Sequence, residues 1–90
     1  MITRYTINIK GKVQGVYFRA STLEVAQKLD LHGIVKNEPD GSVSIEVEGT
    51  KAQMGDFLKW CHKGPLGAEV REVKITQSSS LKNFQDFRII

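Results

Sequence analysis

Arg4-Tyr5-Thr6-Ile7-Asn8-Ile9-Lys10-Gly11-Lys12-Val13-Gln14-Gly15-Val16-Tyr17-Phe18-Arg19 changes its hydrophobic period part-way along. Tyr5, Ile7 and Ile9 alternate with Arg4, Thr6, Asn8 and Lys10, the period of a strand with one buried and one wet face, so a strand is expected from about residue 3 to about 11. Gly11 and Gly15 then punctuate the chain, and Thr22, Val25, Ala26 and Leu29 recur at the i, i+3, i+4, i+7 spacing of one helix face. A strand therefore runs through a glycine-containing loop into a helix. Ser21 and Glu24 have the spacing of a capping box, which would start that helix just after Arg19, and Gly33 reads as its C-terminal stop.

Beyond this unit, Ile34-Val35 opens an apolar stretch that ends at Pro39-Asp40-Gly41, a turn made of a fixed φ, a turn-forming side chain and a permissive glycine. Val43, Ile45 and Val47 then alternate with Ser42, Ser44, Glu46 and Glu48, which predicts a hairpin with serines and glutamates on its wet face. Thr50 and Gln53 form a second capping box, followed at helical spacing by Met54, Phe57, Leu58 and Cys61, with an end near Gly64-Pro65. Val70, Val73 and Ile75 suggest a strand whose phase slips once, as at a bulge, and Phe84, Phe87 and Ile89 a short closing strand. The order matches an α+β fold: a ferredoxin-like split βαβ sandwich, with an antiparallel sheet of four to five strands and two helices on one face.

Ninety residues suffice for one modest core, so a single domain spanning residues 1–90 and a single site are expected. The hydrophobic fraction of 40% and charged fraction of 26% are those of a globular chain. No apolar run is long enough to span a bilayer, and the alternating start lacks the apolar block of a signal peptide. Cys61 is the only cysteine, which rules out an internal disulfide and fits a reducing compartment; cytoplasmic localisation is expected. The net charge of +3 favours anionic ligands only slightly.

The loop from Lys10 to Arg19 is where such a ligand would sit. N–H groups at a helix start, together with the positive end of its dipole, attract an anion, while glycine lets successive N–H groups converge and Arg19 adds a guanidinium able to hold two oxygens. It is not a Walker loop, because no Gly-Lys-Ser/Thr follows four spacer residues. On spacing alone the signal is generic, since many strand-to-helix connections contain two glycines and a nearby solvated arginine.

Gly11-Lys12-Val13-Gln14-Gly15-Val16-Tyr17-Phe18-Arg19 resembles the signature loop of the acylphosphatase family, and Gly33-Ile34-Val35-Lys36-Asn37-Glu38-Pro39-Asp40-Gly41-Ser42-Val43 resembles its second signature. Gly64-Pro65 with Ala68 and Val70 is similar to a third, less specific stretch, so the resemblance covers nearly the whole chain. It implies the fold above and metal-independent hydrolysis of the carboxyl-phosphate bond of acyl phosphates, with no cofactor and no metal. By position, it implies that Arg19 binds phosphate, that Asn37 orients the attacking water, and that Gln14, Gly15, Val16, Tyr17 and Phe18 cradle the phosphate mainly through backbone N–H groups. Tyr17 carries no expected side-chain role beyond loop packing. The resemblance also implies a helix start nearer Arg19 than the Ser21 capping box gives.

The chemistry suits so small a site. A departing carboxylate is a weak base and needs no general acid, and phosphoryl transfer depends mainly on positioning and charge neutralisation. Asn37 offers an acceptor and a donor but takes no proton near neutral pH, which leaves it the task of orienting water.

Several residues have plainer readings. Asparagine before a turn commonly makes local hydrogen bonds, and only the motif gives Asn37 a larger part. Cys61 lies on an apolar helix face; a cysteine-dependent phosphatase would place an arginine six positions later, where this chain has Gly67. His32 and His62 fall near helix ends without metal-ligand spacing, Trp60 belongs to core or packing rim, and Asp40, Glu46 and Glu48 form no acid and base pair.

Two other functions share the element order. An RNA-recognition domain would display aromatics on its sheet, where this one is expected to display serines and glutamates, so nucleic acid is not an expected partner. A regulatory anion-binding module would keep the loop without turnover, against which stands the presence of both Arg19 and Asn37. The expected partners are a small-molecule acyl phosphate and inorganic phosphate as product and inhibitor, with no membrane partner. The same domain can open larger carbamoyl-phosphate-processing proteins; a free-standing monomer is expected here, because no linker follows before Ile90.

Overall fold

A computed structural model describes residues 1–90. The chain runs β1 (Thr3–Lys12), α1 (Phe18–Lys28), β2 (His32–Asn37), β3 (Val43–Gly49), α2 (Lys51–Lys63), β4 (Glu69–Ser78) and β5 (Phe87–Ile89). The strands form one sheet in the order β4-β1-β3-β2-β5. β1 and β2 each pair antiparallel with β3 between them, so they run parallel to one another and α1 makes the crossover of a split βαβ unit. β5 pairs parallel with β2, and the sheet is mixed where the sequence predicts an antiparallel one.

Register explains the core. Tyr5, Ile7 and Ile9 stand opposite Val47, Ile45 and Val43, and Val35 opposite Ile45, so the alternating apolar positions of three strands share one face. Phe18 and Ala26 of α1 and Met54, Phe57 and Cys61 of α2 complete that cluster. The two helices thus cover this face. The Thr50 and Gln53 capping box forms as expected, with each side chain bonded to the other residue's backbone N–H. The phase slip of β4 is also present: Lys10 and Gly11 pair with Glu72 and Val70, leaving Arg71 as the bulged residue.

Three local expectations are overturned. α1 begins at Phe18, with Tyr17 at its N-cap in the left-handed region (φ 61°), so the Ser21 and Glu24 capping box does not form and Ser21 lies inside the first turn. Gly33 is not a helix stop; α1 ends at Lys28, Asp30 turns the chain at φ 56°, and Gly33 lies inside β2. A Cβ at Gly33 would stand 1.9 Å from the carbonyl oxygen of Glu46, so the close approach of β2 to β3 requires a glycine there. The expected wet face from Ser42 to Glu48 is covered at both ends: Ser42, in the turn just before β3, is 2% exposed, and Glu48, 7% exposed, accepts the backbone N–H groups of Lys82, Asn83 and Phe84.

Candidate active site

A cleft of about 430 Å³ opens where the C-terminal end of β1, the start of α1, the end of β2 and β5 meet. Val13, Gly15, Tyr17, Phe18, Arg19, Ala20, Asn37 and Ile89 line it. Of the residues the sequence singles out, Gly15, Tyr17, Phe18, Arg19 and Asn37 come together here, whereas Gln14 and Val16 are not part of the lining. Val13, Ala20 and Ile89 are additions. Ile89 arrives through the parallel pairing of β5 with β2, opposite Val35, a contact that no local pattern announces.

The loop before α1 is built to leave donors unspent. Gly15 sits at φ 74°, and nothing lies within 4 Å of a Cβ placed there, so the glycine is required by backbone conformation and not by space. Tyr17 follows in the same left-handed region, a conformation costing a non-glycine residue of order 1–3 kcal/mol. None of the N–H groups of Gln14, Gly15, Val16 and Tyr17 donates to a backbone carbonyl, and the first bond of the helix runs from the Ser21 N–H to the Tyr17 oxygen. The N–H groups of Phe18, Arg19 and Ala20 therefore precede the ladder, and no side chain caps them. Unpaired donors are gathered at a helix start and a cleft wall, an electropositive setting.

Phe18 is 2% exposed and packs its ring at 5.3 Å from that of Trp60, which anchors the beginning of α1 in the core. Arg19, one residue on, is exposed and joins no ion pair, so its guanidinium is free for an anion. Asn37 ends β2, half-buried, paired across the hairpin with Val43; its side chain makes no hydrogen bond within the protein. Tyr17 departs from its expected packing role, for the residue is 84% exposed.

A match to the family model described as acylphosphatase extends over residues 5–89. The chain belongs to the acylphosphatase family. An acylphosphatase of Marinobacter nauticus is 46% identical over 87 residues, covering 97% of this chain and 95% of the relative. The crystal structure of the Bacillus subtilis acylphosphatase superimposes with a TM-score of 0.96 at 35% identity, each chain covered to 98%. Full-length HypF, solved in a phosphate- and nucleotide-bound form, contains a region matching all of this chain at 32% identity and a TM-score of 0.89, which is 12% of its own length. As an acylphosphatase, this protein is an enzyme that hydrolyses acyl phosphates, and its α+β fold is that of its relatives.

The other polar candidates lie elsewhere. Cys61 is wholly buried, and burial pushes its thiol up to about 12, which leaves it a protonated core residue. His62 Nδ1 lies 2.9 Å from the Leu58 carbonyl oxygen on α2, as expected near a helix end, whereas His32 opens β2 and its Nδ1 lies 3.1 Å from the Phe84 carbonyl oxygen. Asp40 accepts the Ser42 N–H at 2.9 Å and the Ser42 hydroxyl at 2.6 Å; these bonds, the hydroxyl's first, hold its carboxyl below its ordinary value. No group of three or more His, Cys, Asp and Glu side chains is arranged to hold a metal. No helix is long and apolar enough to cross a membrane.

Proposed function

We propose that hydrolysis proceeds by metal-independent attack of a water held by Asn37 on a phosphoryl group held by Arg19 and by the N–H groups from Gln14 to Phe18, with those of Arg19 and Ala20 beside them. The supporting observation is that Arg19 and Asn37, from separate elements, line one cleft with Gly15, Tyr17 and Phe18. A guanidinium and converging N–H donors offset charge on the equatorial oxygens, and the good carboxylate leaving group needs no acid. The Asn37 carbonyl oxygen can accept one hydrogen from the water, fixing the line of attack, while the phosphate itself takes the proton. Val13, Tyr17, Ala20 and Ile89 give the rest of the cleft an apolar lining for the acyl end of the substrate.

The same reading makes inorganic phosphate both product and competitive inhibitor. It takes residues 1–90 as one acylphosphatase-like domain acting as a monomer, in the cytoplasm, where a free buried thiol such as Cys61 is at home. The test is a hydrolysis panel of several acyl phosphates, with a phosphate ester and a nucleoside triphosphate as controls, run with and without excess chelator. Acyl phosphates alone should turn over, chelator should leave the rate unchanged, and inorganic phosphate should compete. Loss of turnover on chelation, restored by a divalent ion, overturns the mechanism.

A further inference from the structure

Gln14 is expected to lend the phosphate its backbone N–H, yet its side chain is committed elsewhere. Its Nε2 donates to the carbonyl oxygen of Glu38 at 2.8 Å and to that of Ser42 at 2.9 Å, which uses both amide hydrogens. Each of those carbonyls already accepts one bond within the turn between β2 and β3: Glu38 N–H donates to Ser42 O at 2.8 Å and Gly41 N–H to Glu38 O at 3.1 Å. Gln14 thus occupies the remaining acceptor capacity of both ends of the turn. Glu38 directly follows Asn37, and Ser42 directly precedes Val43, the cross-strand partner of Asn37.

The placement matters because the sheet supplies no such link here. Pairing of β1 with β3 stops at Ile9 and Val43; beyond it β1 continues against β4 alone, up to Lys12 and Glu69. The phosphate loop and the Asn37 hairpin therefore project past the end of their shared ladder, and the Gln14 amide bridges them just beyond it. We infer that Gln14 is a positioning residue for hydrolysis, its side-chain amide fixing the hairpin that carries Asn37 relative to the loop that leads to Arg19. Arg19 and the N–H groups that follow Gly15 are held independently, by α1 and the buried Phe18 ring. Loss of the bridge should displace the water site more than the phosphate site.

This inference rests on Asn37 as the water-positioning residue, and the test separates the two. Gln14→Met keeps the length of the side chain and removes its donors; in the folded variant, kcat should fall about tenfold or more, the scale of a sub-ångström to ångström misplacement, with inhibition by inorganic phosphate within a few-fold of wild type. Because both residues serve one step, adding Gln14→Met to Asn37→Ala should cost little beyond Asn37→Ala alone. Should the methionine variant fold poorly, Gln14→Glu provides a second readout. Its carboxylate repels both carbonyls but regains one donor when protonated, so its rate relative to wild type should rise as pH falls. Wild-type kcat in Gln14→Met, full additivity with Asn37→Ala, or a flat relative pH profile for Gln14→Glu overturns the inference. If instead Asn37→Ala itself keeps normal turnover, the proposed role of Asn37 fails first.

Discussion

The ring of Phe18 lies 5.3 Å from that of Trp60, tilted by 56°, and through this pair the first residue of α1 is tied to α2. Trp60 also stands 6.4 Å from Phe57, a wholly buried residue, so a partly exposed residue links Phe18 of the cleft lining to the core. Trp60→Ala should lower the unfolding free energy by about 2–4 kcal/mol, toward the lower end of large-to-small core losses because Trp60 is only half-buried. Trp60→Phe should keep most of the stability. Urea midpoints of the two variants check this, and equal midpoints would show that the aromatic stack contributes little.

Much of this arrangement is legible in the sequence because it is local. The alternation of Tyr5, Ile7 and Ile9, the Thr50 and Gln53 box, and the slip in β4 each concern residues close in the chain, and each is found as read. The failures share a cause. Gly33 reads as a helix stop by its neighbours, but its role is set by the Glu46 carbonyl on another strand. The three residues of β5 carry an apolar pattern yet no mark of direction, and their parallel pairing with β2 also delivers Ile89 to the cleft. Arg19 and Asn37 are nameable from their motifs; the Gln14 bridge is not, since an amide's partners 24 and 28 residues away leave no trace in spacing.

Gly15 offers a test of the phosphate loop. With φ at 74° and open space around a would-be Cβ, Gly15→Ala meets conformational strain alone, about 1–2 kcal/mol for a left-handed residue. Gly67, at φ 93° with the same open surroundings and outside the cleft lining, is the matched control. Both alanine variants should lose comparable stability, but only Gly15→Ala should also weaken phosphate inhibition, and by more than its loss of stability. Equal phosphate affinity in the two variants would remove the loop from the binding site.

Asp40 gives a prediction in pH. Its folded carboxyl lies below the ordinary value of 3.8, chiefly through the Ser42 hydroxyl and then the Ser42 N–H. A group whose folded value is depressed stabilises the fold above its unfolded value, and that contribution disappears as pH falls through the folded one. Asp40→Asn should therefore be less stable than wild type at neutral pH, with a gap that begins to close near 3.8 and is lost at more acid pH. Parallel denaturation curves across that range check the sign. A gap that widened on acidification would contradict it.

Arg19 and Asn37 line the same cleft but should fail differently, because one holds the phosphoryl group throughout the reaction and the other holds only the attacking water. Arg19→Gln removes a charge that has no other partner in the protein, so phosphate inhibition should weaken by roughly 1.5–3 kcal/mol, the usual worth of a charged hydrogen bond, and turnover should fall with it. Asn37→Ala should leave phosphate inhibition within a few-fold of wild type while turnover drops about a hundredfold, the scale on which a misplaced reactant is felt. Folding is not expected to intervene, because the Asn37 side chain makes no hydrogen bond within the protein and the hairpin bonds beside it are made by backbone and by the side chains of Gln14, Asp40 and Asn8. Circular dichroism and a thermal melt of each variant establish that before kinetics are compared. If folded Asn37→Ala keeps wild-type turnover, or loses phosphate binding as severely as Arg19→Gln, Asn37 belongs to the hairpin turn and the water must be held by another group.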